Sequence, residues 1–137
     1  MNQIHRVTPR LPVADLAAAV AFYRDHFGFE NVGLHPAEAP TFALLERDGA
    51  ALQFFVPDDN TALPQQATAP NDRPMITLDV ADARAFHAAL TARGIAVEWG
   101  PEVYWYGRRE FAVRDPNGYL VIVSEETDEP VTDADDS

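Results

Sequence analysis

An α+β fold of two β-α-β-β-β modules follows from three features of the sequence. Pro12-Val13-Ala14-Asp15 is matched by Asp79-Val80-Ala81-Asp82 at an offset of 67 residues. Each of these Asp residues opens a stretch with apolar side chains at helical spacing, and a glycine ends each stretch. The turn Arg47-Asp48-Gly49 has its counterpart in Arg114-Asp115-Pro116-Asn117-Gly118. A set of motifs that occurs twice in 137 residues marks a duplicated module, not a solenoid of many repeats.

The elements follow in order. Residues 7–13 read as a first strand, interrupted by Pro9 and Pro12. The first helix begins after Asp15, a good N-cap, with Leu16, Val20, Tyr23 and Phe27 on one face; Gly28 stops it. Strand-like runs then cover 41–45 and 51–56. In the second half, a strand over 75–80 leads to a helix after Asp82, with Phe86, Ala89 and Leu90 as its apolar face and Gly94 as its stop. Further strands cover 110–114 and 119–124, so each half reads strand, helix, then about three strands. The modules span 1–57 and 74–126. Between them, residues 58–73, flanked and interrupted by prolines and rich in Asp, Asn, Gln and Thr, read as a linker. Residues 127–137 read as an acidic, disordered tail.

Composition removes several classes of chemistry. Hydrophobic residues are 47% and charged residues 23% of the chain, a globular balance. The absence of cysteine excludes thiolate metal sites, a cysteine nucleophile and disulfides. All ten basic residues are arginine, so a lysine Schiff base is impossible. Ser124 ends a strand and Ser137 ends the chain, so neither reads as a nucleophile; the seven glycines are scattered and form no phosphate loop. The net charge is −12, but seven of the 22 acids lie in the last thirteen residues. The 15 that remain face ten arginines, a net of −5. That balance argues against nucleic acid as a partner and mildly favours a cationic ligand. The N-terminus has no apolar core of signal-peptide length, and the longest apolar run, 16–23, falls short of the ~20 residues that cross a bilayer. No membrane partner is expected, and a cytoplasmic location is the default reading.

Three motifs, in this order and spacing, give the chain a family resemblance. The first is Leu11-Pro12-Val13-Ala14-Asp15-Leu16 running into Ala21-Phe22-Tyr23-Arg24 and Phe27-Gly28-Phe29. The second is Leu78-Asp79-Val80-Ala81-Asp82 leading to Leu90-Thr91-Ala92-Arg93-Gly94-Ile95. The third is Tyr106-Gly107-Arg108-Arg109-Glu110-Phe111 followed by Arg114-Asp115-Pro116-Asn117-Gly118-Tyr119-Leu120. Over residues 5–126 the chain resembles the vicinal oxygen chelate superfamily of glyoxalases, extradiol dioxygenases and bleomycin-resistance proteins. The resemblance implies that the two modules form an open cup or incomplete barrel. It also implies four inward positions that, in metal-dependent members, carry His, Glu or Gln ligands.

Counting from the repeated Asp residues, and by the correspondence of the halves, those positions are Thr8, Gln53, Met75 and Ile122. Gln53 alone is a plausible ligand for a hard divalent cation; Met75 is soft and Ile122 has no lone pair to offer. Moving the register by one residue brings Val7, Pro9, Val121 or Val123, none of them a ligand. His5, His26, His35 and His87 do not pair at ligand spacing and read as surface or loop residues, as does the Asp58-Asp59 pair. Asp115 reads as a turn-shaping residue that accepts local backbone N–H groups, and Arg109 and Glu110 as structural groups paired across the sheet. No metal and no cofactor are expected.

What remains is an aromatic set: Trp99, Tyr104, Trp105 and Tyr106 in the second half, and Phe42, Phe54 and Phe55 in the first. Trp105 and Tyr106 are adjacent, so on a strand they would point to opposite faces. The third motif is similar to the aromatic-Gly-x-Arg-Glu-Phe segment of the bleomycin-resistance branch. Members of that branch bind no metal and are dimers that sequester a planar, cationic antibiotic. The match implies that Tyr106, with Trp105 as near alternative, stacks on the ligand and that Phe42 is the opposing ring. The expected function is metal-independent binding of a small aromatic or cationic molecule by a homodimer, with no catalytic residue. The alternative is a glyoxalase- or dioxygenase-like enzyme of the same fold with a degenerate metal site.

Overall fold

The computed structural model describes residues 2–58 and 75–133. The chain divides into two compact units, Met1–Asp72 and Arg73–Ser137. Apart from Asp58, the expected linker 58–73 lies outside the described residues, as do residues 134–137 of the tail.

The first unit runs β1 (Arg10–Pro12), α1 (Leu16–Phe27), β2 (Glu30–His35), β3 (Phe42–Arg47) and β4 (Ala50–Phe55). The second runs β5 (Met75–Asp79), α2 (Ala83–Ala92), β6 (Val97–Tyr104), β7 (Arg108–Arg114) and β8 (Leu120–Glu126). Their sheets have the same strand order, β1-β4-β3-β2 and β5-β8-β7-β6. In each, the first strand runs parallel to the last and the other pairs are antiparallel. The two open, four-stranded mixed sheets with two helices bear out the expected α+β fold of repeated β-α-β-β-β modules.

The caps form as the spacing predicts. The Asp15 carboxylate accepts the Ala18 N–H at 3.0 Å, and Gly28 ends α1 in the left-handed conformation, φ +70°. The Asp82 carboxylate does the same for Ala85 at 3.0 Å, and Gly94 follows the end of α2 with φ +81°. The first strand is shorter than expected. β1 begins at Arg10, and one bond extends the pairing at each end: the Gln53 N–H donates to the Pro9 carbonyl at 2.9 Å and the Val13 N–H to the Phe55 carbonyl at 2.8 Å. Pro9 and Pro12 have no N–H to give, so they shorten the ladder.

Alternation along the strands gives each sheet two unlike faces. In the first unit, Ala43, Leu45, Leu52 and Phe54 are buried on the α1 side, where Tyr23 stacks on Phe54 with centroids 5.2 Å apart. In the second, Phe111, Val113, Val121 and Val123 are fully buried, and His87 of α2 meets the Phe111 ring edge-on. The opposite face carries the half-buried Phe42, Gln53 and Phe55 in the first unit and the buried Glu110, Ala112 and Ser124 in the second.

Residues 127–133, the first part of the acidic tail, follow β8 and bond back to the sheet. β6 is an end strand, and its Val103 turns both backbone groups away from β7. The Val103 N–H donates to Thr132 Oγ1 at 2.7 Å, and its carbonyl accepts the Thr132 N–H at 2.9 Å. Glu129 pairs with Arg109 and, at 3.3 Å, with Arg84. Unpaired backbone at a sheet edge favours such a cover.

Candidate functional site

In the second unit, β6 and β7 meet at a tight turn over residues 105–107. The turn is closed by the Gly107 N–H donating to the Tyr104 carbonyl at 3.1 Å. Gly107 has φ +77°, a conformation that needs no side chain in the way. Trp105 and Tyr106 therefore do not point to opposite faces of a strand. They sit on the turn, ring edge to ring face, with centroids 5.3 Å apart. Tyr106 in turn stacks on Tyr104 at 5.7 Å, nearly parallel, and Tyr104 meets Trp99 edge-on at 5.9 Å. Four rings form one continuous ridge.

The register explains the ridge. Trp99 and Tyr104 face Ala112 and Arg108 across the ladder, on the side away from α2. On that same side, Glu102 lies opposite Glu110. Glu110 is buried, and its carboxylate accepts the Tyr106 hydroxyl, which holds that ring over the strand. Trp105 is 70% exposed and Tyr106 46% exposed. Large aromatic surface left open to water at a fixed position is suited to stacking on a flat molecule.

In the first unit, Phe42 lies on the face away from α1, opposite Phe55 of β4. Phe54 points the other way and is core, as the alternation requires. Phe42 has company that the sequence reading missed. Arg10 stands 5.6 Å above its ring centroid and donates from Nε to Gln53 Oε1 at 2.8 Å. No local spacing signals this contact: Arg10 and Gln53 are neighbours only because β1 and β4 pair in parallel. Trp105 and Tyr106 are thus brought together in the second unit, whereas Phe42 belongs to the first.

The pairing also tests the four ligand positions. Arg10 lies beside Gln53 and Thr77 beside Ile122; Arg10 and Thr77 are 67 residues apart, so Gln53 and Ile122 are equivalent. At these positions Ile122 cannot coordinate, Met75 is a soft donor that is 48% exposed, and the Gln53 oxygen is engaged by a guanidinium. A fixed positive charge beside the one amide oxygen repels a divalent cation by several kcal/mol even at an effective dielectric near 20. The set does not fit a hard divalent metal. Among the described residues, no group of three or more His, Asp or Glu side chains could hold a metal ion. His26 and His87 make edge contacts with Phe22 and Phe111. Arg109 lies opposite Glu125 and pairs with it at 3.8 Å. Asp115 Oδ1 accepts the N–H groups of Asn117 at 2.8 Å and Tyr119 at 3.0 Å, as the turn motif implies.

Residues 3–123 match the family model described as the Glyoxalase/Bleomycin resistance protein/Dioxygenase superfamily. Among curated proteins, none matches the chain. Among solved structures, the lactoylglutathione lyase of Agrobacterium tumefaciens is similar, with 26% identity and a TM-score of 0.66, over 86% of this chain and 90% of that one. TnmS3, an antibiotic binding protein from Streptomyces sp. CB03234, has 23% identity and a TM-score of 0.71, over 93% and 99%. TioX from Micromonospora sp. ML1 has 20% identity and a TM-score of 0.72, over 88% and 98%. At the last two identities the likeness concerns the fold.

Proposed function

The chain belongs to the glyoxalase/bleomycin resistance protein/dioxygenase superfamily, and from that premise we propose that it binds a small planar aromatic or cationic molecule without a metal, in the manner of the bleomycin-resistance branch. One observation carries this reading: the exposed Trp105–Tyr106 turn, backed by Tyr104 and Trp99 and anchored through Glu110. Such a ridge offers ring faces that need no reordering on binding, which lowers the entropy lost when a ligand docks. That TnmS3 is an antibiotic binding protein supports the same reading.

A second reading, a glyoxalase-like lyase, draws on the similarity to lactoylglutathione lyase. A metal-dependent form would need donors at the four positions, where Ile122 and Met75 supply no hard one, so this reading is a glyoxalase- or dioxygenase-like enzyme with a degenerate metal site.

The test is a thermal-stability screen against glycopeptide antibiotics and planar aromatics, since a ligand of the native state raises the melting temperature. With the best ligand, Trp105→Ala and Tyr106→Ala are expected to weaken binding by ~1–3 kcal/mol, the scale of a lost ring contact. The loss should persist in moderate salt, and chelator-treated protein should bind as well as untreated protein. Unchanged binding by both alanine variants would refute the aromatic site. Binding abolished by chelator would favour the lyase.

A further inference from the structure

We propose that Arg10, Gln53 and Phe42 form a subsite for the carboxylate of an aromatic ligand, an inference that rests on the binding reading above and names the ligand's chemistry. Seven arginines each hold an Asp or Glu carboxylate within 3.8 Å. Arg10 has no carboxylate partner among the described residues, although it is exposed in a chain of net charge −12. Glu46, the acid on the same face of β3, is taken by Arg6 at 2.8 Å.

Arg10 is nevertheless held in place. Its Nε donates to Gln53 Oε1, and its guanidinium lies over the Phe42 ring. Both terminal amino groups of the fork are left without a protein acceptor among the described residues, and the Gln53 amide group is left as a further donor. A planar fork of donors matches the two oxygens of a carboxylate, and charge-assisted bonds of this kind are about twice as strong as neutral ones. The half-buried Phe42 and Phe55, opposite each other on β3 and β4, offer apolar surface for the ring that carries the carboxylate.

This chemistry reverses what the net charge suggests. The acidic surface acts through solvent and is screened beyond ~8 Å at physiological salt, whereas a carboxylate in the Arg10 fork is in direct contact. Phe42 is also changed in role: the protein's own guanidinium already occupies a cation position over its ring.

The experiment is calorimetric titration of the full-length protein with naphthoate and with naphthamide, which differ in the charge of one substituent. Naphthoate is expected to bind at least about tenfold more tightly, the factor for one charge-assisted pair. Arg10→Gln should bring the ratio to near one, and Arg10→Lys, which keeps the charge and loses the fork, should retain part of it. Equal affinities in the parent protein, no naphthoate binding at millimolar concentration, or a ratio that survives Arg10→Gln would overturn the proposal. If another ligand of the screen still raises the melting temperature in a Trp105- and Tyr106-dependent way, only the carboxylate subsite falls. If Arg10→Gln removes the preference while Trp105→Ala and Tyr106→Ala bind both probes as the parent does, the aromatic ridge falls and the subsite stands.

Discussion

Tyr119 shows how one side chain ties a turn to the stability of the molecule. It is fully buried, its N–H is held by the Asp115 carboxylate, and burial together with the Asp115 charge keeps its hydroxyl well above the ordinary phenol value of 10.0. The unfolded chain releases that proton near the ordinary value, and the folded chain releases it only at higher pH. The contribution is therefore fully present below pH 10.0 and is lost as pH rises beyond it. Stability should fall by up to about 1.4 kcal/mol per pH unit above that point through this group. Tyr119→Phe is expected to make the alkaline decline shallower in denaturant titrations across a pH series. Identical slopes would show that Tyr119 is not the group responsible.

At the scale of the element, β6 decides the shape of the candidate site. Its pairing with β7 shifts register on both sides of Trp99, and Gly100 within the irregularity has φ +79°. A Cβ there would lie 2.3 Å from the Glu110 carbonyl oxygen and 2.9 Å from the Phe111 Cα, both backbone atoms. Neither can move without opening the β6–β7 ladder. Gly100→Ala is expected to cost roughly 2–4 kcal/mol, from the conformation and the clash together, measured as a lower denaturation midpoint. A loss below ~0.5 kcal/mol would mean that the strand relaxes without cost. The same irregularity sets Trp99 in the row that continues through Tyr104 to Tyr106.

For the whole molecule, the exposed apolar side chains bear on assembly. Ile4 and Val7 are 87% and 81% exposed, and Val32 and Leu34 of the end strand β2 are 46% and 45% exposed. Four large apolar groups open to water in one unit favour association, and closed two-fold pairs are the commonest outcome. The proposal is a homodimer. Light scattering on a size-exclusion column should give about twice the 15.1 kDa chain mass at micromolar concentration. A mass of one chain would refute it.

The sequence by itself determined the two modules, their helix caps and the turn at Asp115, because each depends on residues within a few positions of one another. Asp15 and Gly28 delimit α1 through bonds spanning a single helical turn. The repeat determined the equivalence of Gln53 and Ile122 before the register showed it. Tertiary structure alone decided the rest. That Trp105 and Tyr106 share a turn depends on where the β6–β7 ladder stops, and that Glu129 and Thr132 are tied down depends on the open side of β6. Arg10 reaches Gln53 across 43 residues of chain, a contact made by the parallel pairing of β1 with β4. Local spacing carries information about local hydrogen bonds. Which charge lacks a partner is known only once every strand has found its neighbour.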